Sequence, residues 1–198
     1  AALQRRLMEE VSYALGHATG AIMWDLEKFY DSINWEYMVK WALETKFDPT
    51  ILLVGLSMHT APRRIRVGPF VGEAMDVNTS VVAGCGLAVK WSKIMLYHTL
   101  QQTHYQVPKA LTDSFYDDMV TRARGSPSAV FPALVDAATL LAKLLEGAGL
   151  KCSVKKTTIT TSDPRLTTSL QKELKKRGVP LKVGRACADL GVDSGAGA

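Results

Sequence analysis

Apolar positions in residues 2–15 recur at Leu3, Leu7, Val11 and Leu15, a spacing that predicts an amphipathic helix stopped at Gly16. The pattern then changes. Ala21-Ile22-Met23-Trp24-Asp25-Leu26 is a short apolar run with an acid near its end, too short for a helix, and reads as a buried strand. Asn34 is placed to cap a helix carrying Trp35, Met38, Val39, Ala42 and Leu43 on one face, and Asp48-Pro49 opens another through about Met58. Segments 63–67 and 74–82 flank a Gly/Pro stretch and predict a β-hairpin, after which Gly84 and Gly86 lead into a helix over 87–102. Segments 110–115 and 119–122 read as two strands joined by a tight acidic turn. Ser126-Pro127 begins a long helix to Glu146, with Pro132 expected to break its first turns. The tail predicts strands at 150–154 and 158–161, a basic helix over 164–177 and a last strand at 180–183. Helices and hairpins are mixed instead of strictly alternating, so the expected class is α+β. No linker, repeat or composition break divides residues 1–198, which are read as one unit.

Composition supports a packed core: 47% of the 198 residues are hydrophobic and 22% are charged, at the globular average. That excludes a disordered tail or a disulfide-stapled miniprotein. No apolar run is read as long enough to span a bilayer, so no membrane partner is expected. The three cysteines, Cys85, Cys152 and Cys187, form no C-x-x-C pair, which argues for reduced thiols and an intracellular setting, nucleus or cytoplasm. Net charge is +5, unevenly spread. Residues 1–150 hold fourteen Lys/Arg against fifteen Asp/Glu, whereas 151–185 hold ten against two. That basic strip is either a phosphate-tracking surface or a solvated one.

Two acidic spots carry candidate chemistry. Asp25 ends the first predicted strand, and Phe115-Tyr116-Asp117-Asp118 sits at the tip of the predicted hairpin. Adjacent aspartates in a tight turn repel each other, and a cation is the natural remedy. Three carboxylates from a strand end and a turn suit Mg²⁺ (or Mn²⁺), which prefers hard oxygens and phosphate partners. Two such ions support an in-line displacement at phosphorus. Each acid taken alone also reads as an ordinary cap or turn residue; the conjunction is what points to a site.

At these residues the chain resembles the palm of a reverse transcriptase. Asp25-Leu26-Glu27-Lys28-Phe29-Tyr30-Asp31 resembles that family's first palm motif, an aspartate followed five positions later by an aromatic. Phe115-Tyr116-Asp117-Asp118 is similar to its Tyr-x-Asp-Asp box. Ala83-Gly84-Cys85-Gly86-Leu87-Ala88 resembles the Gln-Gly-x-Pro-Leu-Ser segment, and the stretch from Gly149 to Thr157 resembles the Gly-Leu…Lys-Thr motif. Asp189-Leu190-Gly191 stands where cellular and non-LTR retroelement enzymes carry a Leu-Gly turn. The departures are Ala83 for glutamine, Gly86 for proline, Ala88 for serine, Phe115 for tyrosine and Ser153 where asparagine is common.

The resemblance implies a polymerase palm, a ferredoxin-like antiparallel sheet backed by helices at 34–47 and 127–146, with part of the fingers and no thumb. It implies RNA-templated DNA synthesis within a divergent non-LTR retroelement polyprotein, with an RNA template, a DNA or RNA primer, dNTP and the remaining fingers and thumb as partners. Asp25, Asp117 and Asp118, with the Leu26 carbonyl, are then the metal ligands. Lys156 or its neighbour Lys155 protonates the leaving pyrophosphate, Tyr30 screens the sugar, and Gly84 lets the nucleotide approach the backbone. Arg64 and Arg66, on one face of a hairpin strand, are read either as a hold on the template or as charges that keep an edge strand soluble. The isolated chain is expected to extend no primer. Two other readings stay open: a non-catalytic palm that binds RNA or protein, which Ala83 and Ala88 favour, and an RNA-dependent RNA polymerase palm, which Tyr30 opposes.

Overall fold

The computed structural model describes residues 2–82, 84–184, 186–189 and 192–195. The order is α1 (Ala2–Ala14), β1 (Ala18–Trp24), a 3₁₀ turn (Phe29–Ser32), α2 (Trp35–Glu44), α3 (Pro49–Thr60), β2 (Arg66–Val67), β3 (Phe70–Val71) and α4 (Ala88–Gln106). Then follow β4 (Leu111–Phe115), β5 (Asp118–Gly125), α5 (Pro127–Gly147), β6 (Thr158–Thr161), α6 (Pro164–Lys176), β7 (Lys182–Val183), β8 (Ala186–Asp189) and β9 (Val192–Gly195). Five strands form one sheet in the order β4-β5-β1-β6-β7. All pairings in it are antiparallel except β6 with β7, so the expected antiparallel sheet is mixed at one edge. The class is α+β, and the sheet backed by helices is palm-like.

β1 runs between β5 and β6, and its alternation assigns the two faces of the sheet. A Cβ on Gly20 would stand 2.6 Å from Leu134 Cδ1 of α5 and 3.1 Å from Thr161 Cγ2. Gly20, Ile22 and Trp24 therefore face α5, and Thr19, Ala21 and Met23 face the other way. α6 joins α5 on the covered side, where the Thr167 and Thr161 hydroxyls lie 2.8 Å apart. α2 packs on α4 and α3, so the helix expected at 34–47 forms an outer layer and does not back the sheet itself. Trp24, one of the covered residues, donates its indole N–H to Thr121 Oγ1 at 2.9 Å, and Thr112 Oγ1 lies 3.0 Å beyond.

α5 is an unbroken helix of 21 residues, with Pro132 accommodated inside it. Its tertiary packing outweighs the single hydrogen bond that proline removes: Val130, Leu134, Ala138, Leu141 and Leu145 are all buried against the sheet and its neighbours. By length and composition alone this helix is apolar enough to cross a membrane, which corrects the sequence reading; here it is the core helix of the fold. The strand expected over 150–154 reduces to a single bridge, Leu26 with Cys152. The hairpin expected over 63–82 reduces to β2 with β3 and a bridge between Arg63 and Met75.

α3 approaches α4 closely through Gly55, where a Cβ would run into the ring of Trp91 and stand 2.8 Å from Leu87 Cδ1. Next to this contact His59 is 3% exposed, its ring centroid 4.8 Å from that of Trp91 and 6.0 Å from that of Trp35. His59 Nδ1 accepts the Val82 N–H at 3.2 Å, which leaves the proton on Nε2, facing Cys85 Sγ at 3.3 Å. Burial first, and then the Arg63 charge, hold the His59 pKa below its ordinary 6.5.

Two outcomes follow from this packing. Gly55→Ala is expected to lower unfolding free energy by about 1–3 kcal/mol through overpacking against Trp91. Gly147→Ala, where no atom lies within 4 Å of the added carbon, is expected to be neutral or stabilising by up to about 1 kcal/mol; urea unfolding of both variants checks the pair. Because the folded His59 resists the proton that the unfolded chain takes up below about pH 6.5, its contribution is full above that pH and lost as pH falls below it. His59→Gln is expected to flatten the slope of unfolding free energy against pH between about 7.5 and 5, measured by urea titrations at each pH.

Candidate active site

The acids are brought together by register. β1 pairs with β5 so that Trp24 lies opposite Met119, and β4 pairs with β5 so that Phe115 lies opposite Asp118. Tyr116 and Asp117 are thus a two-residue hairpin loop set beside the point where Asp25 leaves β1. Tyr116 takes a left-handed backbone, φ 59°, as the first position of such a tight turn requires. The Phe115 and Tyr116 rings meet edge to face at 4.5 Å and brace the loop from outside.

Asp25 itself is held from the other side. Its N–H donates to Thr157 Oγ1 at 3.3 Å, its carbonyl accepts from Ser153 N–H at 2.8 Å, and Glu27 N–H donates to Lys151 O at 2.8 Å. These bonds flank the Leu26–Cys152 bridge, so Leu26 is the non-hydrogen-bonded member of the pair and its carbonyl is directed away from that ladder. The Leu26 side chain is buried, which leaves only its backbone for chemistry. Ser153 and the buried Thr157 thus fix the backbone of Asp25. Burial, with the Glu27 charge beside it, pushes the Cys152 thiol up to about 11, so it stays protonated and inert.

After Leu26 the chain turns through Lys28, whose φ of 47° is also left-handed, into the 3₁₀ turn. Phe29 is buried and anchors that turn, with Tyr30 edge to face against it at 5.2 Å. Tyr30 O accepts the Val81 N–H at 2.8 Å, and Ser80 Oγ lies 3.5 Å from Asp31 Oδ1. Residues 80–82 are thereby the far wall of a cleft of about 390 Å³, lined by Asp25, Leu26, Tyr30, Arg63, Asp117 and Lys156 among others. Lys156 Nζ lies 3.5 Å from Asp25 Oδ2, with the lysine largely exposed.

Of the residues singled out in the sequence, Asp25, Leu26, Tyr30, Asp117 and Lys156 meet in this cleft. Asp118 opens β5 and is exposed, outside the lining. Gly84 has φ +86° with nothing within 4 Å of a would-be Cβ, so its backbone conformation requires glycine and the space beside it is open. Ala83 lies outside the described residues, as do Leu190 and Gly191. Arg64 is exposed and Arg66 donates to Gly68 O at 2.9 Å on the β2–β3 hairpin; neither lines the cleft. Their neighbour Arg63 does. Arg64 and Arg66 are the pair singled out in the sequence; that Arg63 is the one in the cleft goes with its bridge to Met75, which no local pattern announces. The basic strip is divided as well: Lys156 reaches the cleft, whereas α6 with Lys172, Lys175 and Lys176 lies on the helix-covered side of the sheet.

Hard oxygen donors from Asp25, Asp117 and the Leu26 carbonyl make a set of the kind that holds Mg²⁺ together with phosphate oxygens. Among the described residues no group of three or more His, Cys, Asp or Glu side chains gathers closely enough to enclose an ion unaided.

No protein-family model matches the chain, and no curated protein matches it significantly. Among solved structures it is similar to an apo telomerase from Candida tropicalis truncated from its C-terminal domain, with a TM-score of 0.57 and 14% identity. The likeness covers 80% of this chain but only 34% of the telomerase chain, so this chain spans about a third of that protein's length. At such identity the likeness carries the fold and nothing finer: a mixed five-stranded sheet backed by helices, as in a polymerase palm.

Proposed function

We propose that this chain is the palm of an RNA-directed DNA polymerase, joining a dNTP to the 3′-hydroxyl of a primer on an RNA template. The observation that carries the reading is the meeting of Asp25 and Asp117, from a strand end and a hairpin loop, in one cleft with Tyr30 and Lys156. A telomerase-like fold supports polymerase-type nucleotidyl transfer, and the motifs resemble those of reverse transcriptases. The retroelement polyprotein, with its fingers and thumb as partners, and an intracellular site of action complete the proposal.

In this reading Asp25, Asp117 and the Leu26 carbonyl hold Mg²⁺ or Mn²⁺, with Asp118 in support. The bound ions supply charge neutralisation at the triphosphate and acidify the primer hydroxyl. The protein's own work is positioning. Thr157 and Ser153 keep the Asp25 backbone still, and Phe29 holds Tyr30 where the nucleotide sugar lies, so that its ring excludes a 2′-hydroxyl. Lys156, already beside Asp25, stands ready to give a proton to the departing pyrophosphate.

The ion pair between Lys156 and Asp25 favours one competing reading, in which the lysine permanently replaces the cation and the palm only binds RNA or protein. Metal binding separates the two. Mn²⁺ titration followed by electron paramagnetic resonance is expected to show binding to the wild type. Asp25→Asn and Asp117→Asn are each expected to weaken it at least by the ~10- to 100-fold that even outer-shell partners command. Asp136→Asn, on the far side beside Arg177, is expected to leave it unchanged, and equal affinities in all four proteins would establish the non-catalytic reading. With Mg²⁺ present, Tyr30→Ala is expected to shrink the preference for dNTP over rNTP, read as a ratio of dissociation constants. An unchanged ratio would remove Tyr30 from the sugar site and reopen the RNA-polymerase alternative.

A further inference from the structure

We propose that Arg63 grips the polyphosphate tail of the incoming nucleotide, a role that rests on the nucleotide-transfer reading of the same cleft. Arg63 lines that cleft with Asp25, Asp117 and Lys156, and its guanidinium meets the carbonyl of Ser80, another lining residue. The anchors of its guanidinium are neutral: Nη2 donates to His59 O at 3.2 Å and to Ser80 O at 3.4 Å. Among the described residues no carboxylate pairs with it. A half-buried guanidinium held by carbonyls keeps its full charge for an outside anion, and its planar fork matches phosphate oxygens.

The group is also preorganised. Arg63 N–H donates to Met75 O at 2.9 Å and Met75 N–H donates back to Arg63 O at 2.8 Å, which pins the backbone. The carbonyl of His59 belongs to a residue buried against Trp35 and Trp91, and that of Ser80 to the wall tied to Tyr30 through Val81. Little ordering remains to be done when an anion arrives.

Charge balance in the cleft points the same way. Asp25, Asp31 and Asp117 face Lys28, Arg63 and Lys156, three acids against three bases. Once divalent ions engage the carboxylates, the cations are left for the phosphates. A tail is favoured over a strand backbone because Arg63 lines the same cleft as the acids, on the wall across from them, where the phosphates beyond the reacting one would extend. Arg64 and Arg66, on the same segment but outside the cleft, serve as internal controls.

Calorimetric titration of the full 198-residue chain with inorganic tripolyphosphate and with dGTP, each with and without Mg²⁺, tests the assignment. Arg63→Ala is expected to weaken tripolyphosphate binding roughly 10- to 100-fold, as loss of charge-assisted hydrogen bonds does, with or without Mg²⁺. Arg63→Lys is expected to recover part of the loss, and Arg64→Ala none of it to incur. Asp117→Asn is expected to abolish only the Mg²⁺-dependent gain, so the two residues report separately. Unfolding by urea confirms that each variant is folded. If Arg63→Ala binds tripolyphosphate as tightly as wild type while Asp117→Asn loses the Mg²⁺ gain, the Arg63 assignment falls and the nucleotide reading stands. If Arg63→Ala weakens only the binding of a single-stranded RNA oligonucleotide, the arginine serves a strand backbone and the assignment falls again. A wild type that binds neither tripolyphosphate nor dGTP with Mg²⁺ overturns both.

Discussion

The register of β1 between its two neighbours is the constraint on which the cleft depends. Trp24 opposite Met119 and Met23 opposite Thr158 set where the strand ends, and therefore where Asp25 emerges. A slip of one residue would carry Asp25 to the face covered by α5 and bring Trp24 out to solvent. The buried chain from the Trp24 indole to Thr121 and Thr112 guards against that slip, because a displaced Trp24 would leave a buried polar group unpaired. Gly20 contributes from below: a Cβ there would stand 2.6 Å from Leu134 Cδ1 and force that side chain of α5 to shift.

From this fixed strand the remaining parts of the site are delivered by short, strongly bent segments. Lys28 and Tyr116 both adopt left-handed backbone conformations, one turning the chain below Asp25 and the other folding the hairpin that presents Asp117. Such conformations cost on the order of 1 kcal/mol or more in non-glycine residues. They persist because buried neighbours hold them: Phe29 beside Lys28, and the β4–β5 ladder on either side of Tyr116. The far wall of the cleft depends in turn on His59, which ties α3 to Val82 and carries the carbonyl that steadies Arg63.

Electrostatics divides along the sheet. Acids and the cations that accompany them collect at one end of the open face, in a cleft balanced between the two signs. Much of the positive charge of residues 151–185 lies behind, on α6, where Arg177 and Lys176 are already paired with Asp136 and Glu173. Exposed pairs of this kind contribute little to stability. They do lessen the field that the linear count of ten bases against two acids suggests.

The sequence alone determined the elements with local causes. Asn34 and Asp48 cap α2 and α3 as read, since a side-chain oxygen accepting the N–H groups of the first turn needs no distant partner. The acidic hairpin and the strand that ends just before Asp25 were legible from the sequence. What required the tertiary structure were the effects in which distant segments compete with local rules. Pro132 sits inside an intact helix because α5 is buried along its length. Residues 150–154 give up strand pairing beyond one bridge in order to hold Asp25 and Glu27. Arg63, and neither Arg64 nor Arg66, enters the cleft because Met75 bonds both its backbone groups. Local pattern reports which residues prefer to be buried or turned, but a side chain's destination is set by contacts tens of residues away, whose free energy exists only once the chain has closed on itself.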